Sequence, residues 1–178
     1  MARLMNATAT GLFALATGMA LPAAAADDAK IARGRYLVTI SGCSDCHTPG
    51  ALMGAADMKR YLGGSDVGFS IPKDAVYVGQ NLTPDKETGL GQWTDEQIVA
   101  ALRQGKTPEG RQLSAVMPYP ALSHLTDEDA TAIVAFLRSI PSVNNKTPGP
   151  FKSPQPVPIS VSAVLPPAVY NALPASAR

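Results

Sequence analysis

Gly42-Cys43-Ser44-Asp45-Cys46-His47 holds both cysteines of the 178-residue chain and one of its two histidines. Its spacing, Cys-x-x-Cys-His, is the pattern for covalent attachment of a c-type haem. Each cysteine sulfur adds across one vinyl group of the porphyrin, so the sulfurs must sit a set distance apart along one edge of the ring. Residues i and i+3 share a face of a helical turn, which supplies that distance. His47 follows at once and can turn its imidazole toward the iron as proximal ligand.

Three other chemistries use the same residue types. A thioredoxin-like Cys-x-x-Cys redox pair opens a helix after an apolar strand, and no such strand precedes Cys43. A structural zinc site needs about four ligands, against Cys43, Cys46, His47 and the distant His124 here. A disulfide between Cys43 and Cys46 would close a very small loop and stabilise little. The pattern therefore favours haem.

Upstream, residues 1–26 read as an export signal. Arg3 gives the positive start, Gly11 to Leu21 the apolar run, and Ala24-Ala25-Ala26 a small-residue cleavage site. The run is shorter than the ~20 residues of a spanning helix, so no transmembrane segment is expected after cleavage. Cleavage removes Arg3 and takes the formal charge from +1 to zero. A neutral chain without basic runs gives no reason to expect a nucleic-acid partner. Asp27 to Ile40 reads as a first helix with Ala29, Ala32, Tyr36, Leu37 and Ile40 on one face. Gly34 inside it costs about 1 kcal/mol against alanine, which a close helix crossing would account for.

Downstream, Met53 to Leu62 reads as a short helix, and Gly68 to Gly79 as loop with a brief strand at Ala75 to Val78. Tyr77, Asn81 and Trp93 are donors that could reach a haem propionate. Thr94 to Gln104 is a helix opened by Thr94 and Gln97 as a capping box and ended by Gly105. Thr126 to Ile140 is a second, with Thr126 at its N-cap, a buried stripe of Ala130, Ile133, Val134, Leu137 and Ile140, and Pro141 beyond it. Phe136 and Leu137 are suited to pack over Gly34. From Pro141 to Arg178 the chain carries nine of its 16 prolines and no period, an extended segment whose first half would wrap the haem domain. The layout is an export signal at 1–26, a haem domain at 27–141 and a Pro-rich extension at 142–178.

The sixth ligand separates electron transfer from catalysis. Met53 and Met58 lie close after His47, where the chain has little length to round the ring. His124 precedes the last helix. Met117 sits 70 residues after His47 in Met117-Pro118-Tyr119-Pro120, where two prolines stiffen the loop. Met117 is the favoured candidate, with Met53, Met58 and His124 as alternatives. A His/Met pair fills both axial positions and makes a one-electron carrier. A displaceable Met117 would make a peroxidase-like haem enzyme, with His124 as the available acid–base group.

The order of helix, Cys-x-x-Cys-His, loops, Met117 and final helix resembles a class I cytochrome c. Asn81-Leu82-Thr83-Pro84-Asp85, Gly89-Leu90-Gly91-Gln92-Trp93-Thr94, Met117-Pro118-Tyr119 and Leu125-Thr126-Asp127-Glu128-Asp129 are similar to the cytochrome subunits of periplasmic alcohol, aldehyde and gluconate dehydrogenases. The likeness covers roughly residues 30 to 145, as placed by these motifs. It implies an all-α class I fold, three to five helices around one covalently bound haem c. Cys43 and Cys46 would be the thioether anchors, and His47 and Met117 the axial ligands. It implies a periplasmic electron carrier rather than an enzyme, with a dehydrogenase as donor and a cytochrome or terminal oxidase as acceptor, feeding the respiratory chain. The family's best-known members carry three Cys-x-x-Cys-His motifs and this chain has one, so a three-haem relay is not expected within it.

Overall fold

The structure is a computed structural model that describes residues 23–71, 75–152 and 154–177. The expected export signal lies almost wholly outside the described residues. Six helices are described: α1 (Ala23–Ile40), α2 (Cys43–His47), α3 (Asp95–Gln104), α4 (Tyr119–Leu122), α5 (Asp127–Ser139) and α6 (Pro167–Ala172). None is long and apolar enough to cross a membrane.

α3 and α5 begin where their side chains can cap them. Thr94 Oγ1 accepts the Gln97 amide at 3.3 Å while Gln97 Oε1 accepts the Thr94 amide at 2.9 Å, a complete capping box. Thr126 Oγ1 accepts the Asp129 amide at 3.0 Å. Two ion pairs fasten the helix starts to neighbouring elements. Arg33 Nε donates to Asp129 at 2.8 Å, and Arg138 Nη2 donates to Asp95 at 3.0 Å.

α1 crosses α5 at Gly34. A Cβ added there would meet the Ala132 carbonyl oxygen well inside van der Waals contact and would lie 2.8 Å from Phe136 Cβ. Phe136 thus packs over Gly34 as expected, with the α5 backbone at Ala132 closer still. The buried face of α1 keeps only Leu37 of the expected stripe, however. Tyr36 is 54 % exposed and Ile40 59 %, while Leu37 and Val38 are buried and Ile31 partly so. The stripe is centred on the glycine itself, because the close crossing needs the smallest residue in the middle of the contact.

The all-α expectation is overturned by a four-stranded mixed sheet. Its strands are β1 (Val67–Ser70), β2 (Ala75–Val78), β3 (Phe151–Lys152) and β4 (Ser160–Ala163), in the order β3-β2-β1-β4. β1 pairs antiparallel with β2 at Gly68 and Val78, and β4 joins β1 in parallel at Val67 and Ser160. β2 matches the brief strand expected at Ala75 to Val78. β1 and β4 are no longer than β2 and lie among glycines or prolines that read as loop, β3 is only two residues long, and half of the sheet comes from the proline-rich tail. Its prolines flank the strands without interrupting them: Pro150 precedes β3, while Pro158 and Pro166 bracket β4. Both tail strands lie at sheet edges, where proline's missing donor is tolerated. Met53 to Leu62 is likewise not one helix but two 3-10 turns, Ala51–Met53 and Met58–Arg60. Gly54 separates them at φ 75°.

The first part of the tail wraps the domain through a buried polar knot. Asn81 is 2 % exposed. Its Nδ2 donates to Val143 O at 2.7 Å and Thr88 Oγ1 at 3.0 Å, and its Oδ1 accepts the Thr83 amide at 3.0 Å and hydroxyl at 2.8 Å. Asn145 donates its backbone N–H to Thr88 Oγ1 at 3.0 Å and its Nδ2 to Gly63 O at 2.7 Å.

Candidate functional site

α2 consists of the five residues Cys43–His47, preceded by Gly42 in the left-handed conformation at φ 63°. That turn ends α1's path and starts a new helix at once, so Cys43 and Cys46 fall three apart on one helical face. Cys43 also packs against the main hydrophobic cluster of Leu37, Val38, Leu62 and the α3 and α5 side chains. The two thiols are unlinked. Burial pushes the Cys43 thiol up to about 11 and raises Cys46 as well. A Cys-x-x-Cys redox pair works through a depressed thiol, so this environment runs opposite to that chemistry. Among the described residues no group of three His, Cys, Asp or Glu side chains is placed to hold a metal ion.

His47 Nδ1 lies 2.6 Å from the Gln80 carbonyl oxygen. A carbonyl can only accept, so Nδ1 carries the proton and Nε2 is left with its lone pair free. Metal-ligating histidines are held this way, their orientation and tautomer fixed by the second nitrogen's partner. Burial lowers the pKa of the imidazole, against the opposing pull of the Gln80 carbonyl, and so favours the neutral, ligating form. The surrounding backbone is stitched tightly: Gly64 N–H donates to His47 O at 2.8 Å and Leu62 N–H to the buried Thr48 Oγ1 at 3.0 Å. Gly79 presses on the same turn, where an added Cβ would collide with the Cys46 carbonyl oxygen and come 3.4 Å from His47 Nδ1.

Met117 is partly buried against the same hydrophobic cluster as Cys43. Its loop is pinned by Met117 N–H to Ser114 O at 3.0 Å and Tyr119 N–H to Met117 O at 2.7 Å. The alternative ligands lie at the surface: Met53 is 69 % exposed, Met58 65 %, and His124 is exposed. A cavity of about 570 Å³ is lined by Ile71, Tyr77 and the 112–116 segment that leads into Met117.

Of the residues expected to reach a propionate, Tyr77 lines this cavity. Asn81 does not serve, because its amide is committed to Val143, Thr88 and Thr83. Trp93 packs on the core, and its carbonyl accepts from Arg138 Nη2. The sequence reading missed Gln80 and Gly79. Gln80 contributes a backbone carbonyl, which no side-chain type announces. Gly79 was visible only as loop punctuation.

The donor set fits a covalently held haem: two thiols one helical turn apart, an imidazole with Nε2 free, and a thioether packed on the same core as Cys43. A family model described as cytochrome c matches residues 31–141. The chain is 40 % identical over 130 residues, 73 % of its length, to the cytochrome c subunit of a quinone-type alcohol dehydrogenase from Gluconobacter oxydans, covering 25 % of that protein. It is 36 % identical over 143 residues to the fructose dehydrogenase cytochrome subunit of Gluconobacter japonicus, covering 80 % of this chain and 27 % of that one. Against the gluconate 2-dehydrogenase cytochrome c subunit of Pantoea cypripedii the identity is 32 % over 111 residues, 62 % of this chain and 23 % of that one. The chain thus spans about a quarter of the length of each of these three relatives.

Proposed function

The chain belongs to the cytochrome c family, and from that premise we propose that it is a periplasmic single-haem carrier between a dehydrogenase and the respiratory chain. Electron transfer, rather than catalysis on a substrate, is the work of its dehydrogenase-subunit relatives and of this chain. Haem c supplies an iron that gains and loses one electron at a time. Cys43 and Cys46 would anchor it as thioethers. His47 would offer Nε2 to the iron while the Gln80 carbonyl holds the ring in place. Met117 would offer its sulfur from a proline-stiffened loop. A soft thioether together with an imidazole would raise the potential and suit electron transfer rather than substrate binding. Cys43 and Met117 both pack against the core that contains Leu37, Val38 and Leu62.

The observation that carries this reading is the 2.6 Å contact from His47 Nδ1 to Gln80 O, directly behind the two cysteines. The donor is a periplasmic dehydrogenase and the acceptor a cytochrome or terminal oxidase, each met through a small, transient contact. The test compares spectra of the reduced and oxidised protein with those of Met117→Ala. Wild type should give a covalent c-type pyridine haemochrome with one haem per chain and a methionine–iron charge-transfer band. The band should vanish in the variant, whose iron should then bind carbon monoxide rapidly. A variant that keeps the band removes Met117 from the assignment. The peroxidase-like alternative needs an acid–base group at the iron, and His124 is exposed.

A further inference from the structure

Among the described tail residues, Thr147 bonds the residue whose carbonyl faces His47. Thr147 is 8 % exposed. Its hydroxyl donates to Gln80 Oε1 at 2.7 Å, while Gln80 Nε2 donates to Val78 O at 2.9 Å. The Gln80 side chain is thereby held at both ends, by the tail and by β2. The backbone carbonyl of the same residue accepts from His47 Nδ1 at 2.6 Å. A relay through one residue thus runs from Thr147, by way of the Gln80 side chain and its covalently attached backbone, to His47.

The packing around this relay is equally close. Gly64, at φ 103°, leaves a space that the Thr147 methyl fills; an added Cβ at Gly64 would strike Thr147 Cγ2. Gly64 N–H in turn donates to His47 O at 2.8 Å, and Asn145 Nδ2 secures Gly63 O at 2.7 Å. Thr147 thus abuts both segments that hold His47, Gly63–Gly64 on one side and Gly79–Gln80 on the other. It lies beyond residues 31–141, the part matched by the family model.

We propose that Thr147 is a positioning residue for the haem ligand, fixing the Gln80 carbonyl through the Gln80 side chain and so setting how strongly His47 donates to the iron. The inference rests on the haem reading above. A firmly held carbonyl draws on the Nδ1–H, makes the imidazole a better donor, and favours the oxidised iron. Loosening it weakens that bond and favours the reduced iron.

The experiment measures the midpoint potential and the ferric-state NMR resonances of the His47 ring in the full holoprotein. Thr147→Val keeps the methyl packed on Gly64 and deletes the hydroxyl. It should shift the potential upward and move the His47 resonances. Thr147→Ser restores the hydroxyl and should return both toward wild type. Gln80→Met removes the acceptor but keeps the backbone carbonyl, and should shift the potential in the same direction if Thr147→Val does not fold. Asn144→Ala is a tail control that loses only a surface bond to Glu87 and should change neither readout. A Thr147→Val protein that melts earlier with unchanged potential and His47 resonances would reduce Thr147 to a structural residue and overturn the proposal. A Thr147→Ser protein that behaves like the valine variant would overturn it too. A wild-type protein without covalent haem would instead overturn the haem reading on which it stands.

Discussion

Replacing Gly34 by alanine sets two effects of opposite sign against each other. Helix propensity alone predicts a gain of about 1 kcal/mol. The crossing predicts a loss. The new Cβ would lie 2.6 Å from the Ala132 carbonyl carbon and 2.8 Å from Phe136 Cβ, with the Ala132 oxygen nearer still. Carbon–carbon contacts are comfortable at about 3.5–4.0 Å, so α1 and α5 must part by the order of an ångström. Ala132 presents backbone, which cannot rotate away as a flexible side chain can. Overpacking of this kind costs about 1–3 kcal/mol and sometimes more. The crossing also seals Leu37, Val38, Ile133 and Phe136, all under 7 % exposed, so separating the helices loosens the core as well. The net expectation is a destabilisation of about 2 kcal/mol, once the propensity gain is set against the upper range of overpacking. For a domain of this size that is a fall in Tm of roughly 4–8 °C. Thermal unfolding of holoprotein and Gly34→Ala, followed by far-UV circular dichroism, decides the sign. An unchanged or higher Tm would refute the close crossing.

Asn81→Ala removes the donor to Val143 and the acceptor for Thr83, and should cost about 2–4 kcal/mol in urea unfolding, since buried partners left unpaired cost about 1–3 kcal/mol each; a loss below half a kcal/mol would refute the knot. Acid should destabilise the fold. Asp85, held low chiefly by the Thr88 hydroxyl, and Asp129, held low chiefly by Arg33, both titrate below their unfolded values. Their contribution is present above an unfolded aspartate pKa of about 4 and is lost as pH falls through the lower folded values. Tm measured from pH 6 to pH 2 should drop in that window, and a flat profile would contradict the assignment. Met117→Ala should lose the methionine–iron band, and Thr147→Val should raise the midpoint potential, as set out above.

What the sequence made legible was whatever is recorded locally in side chains. Thr94 with Gln97 and Thr126 with its acidic first turn announce their helices because each cap is completed within three residues. Cys43, Cys46 and His47 announce their turn for the same reason. Features made by distant or backbone partners stayed hidden. β1 finds its neighbour β4 more than ninety residues away, in a segment whose prolines suggest only extension. Asn81 looked like a free donor near a cofactor because its real acceptor, Val143, lies 62 residues on. The exposed Tyr36 and Ile40 looked buried because spacing was counted on apolar residues, while α1 turns its glycine inward.

β1 and β2 form a hairpin whose two outer neighbours, β4 and β3, both come from the tail. Until the last thirty or so residues arrive, that hairpin is a ribbon with both edges bare, too small to hold its shape alone. Joining β1 to β4 closes a loop of about the same length as the α1–α5 crossing at Gly34 and Ala132, so loop closure does not rank the two. What separates them is position in the chain: the crossing and the Cys-x-x-Cys-His turn draw on residues up to Ser139, whereas the sheet also needs Phe151–Lys152 and Ser160–Ala163. A chain shortened before Phe151 would therefore keep every partner of the crossing and leave the hairpin that carries Tyr77 without either outer neighbour.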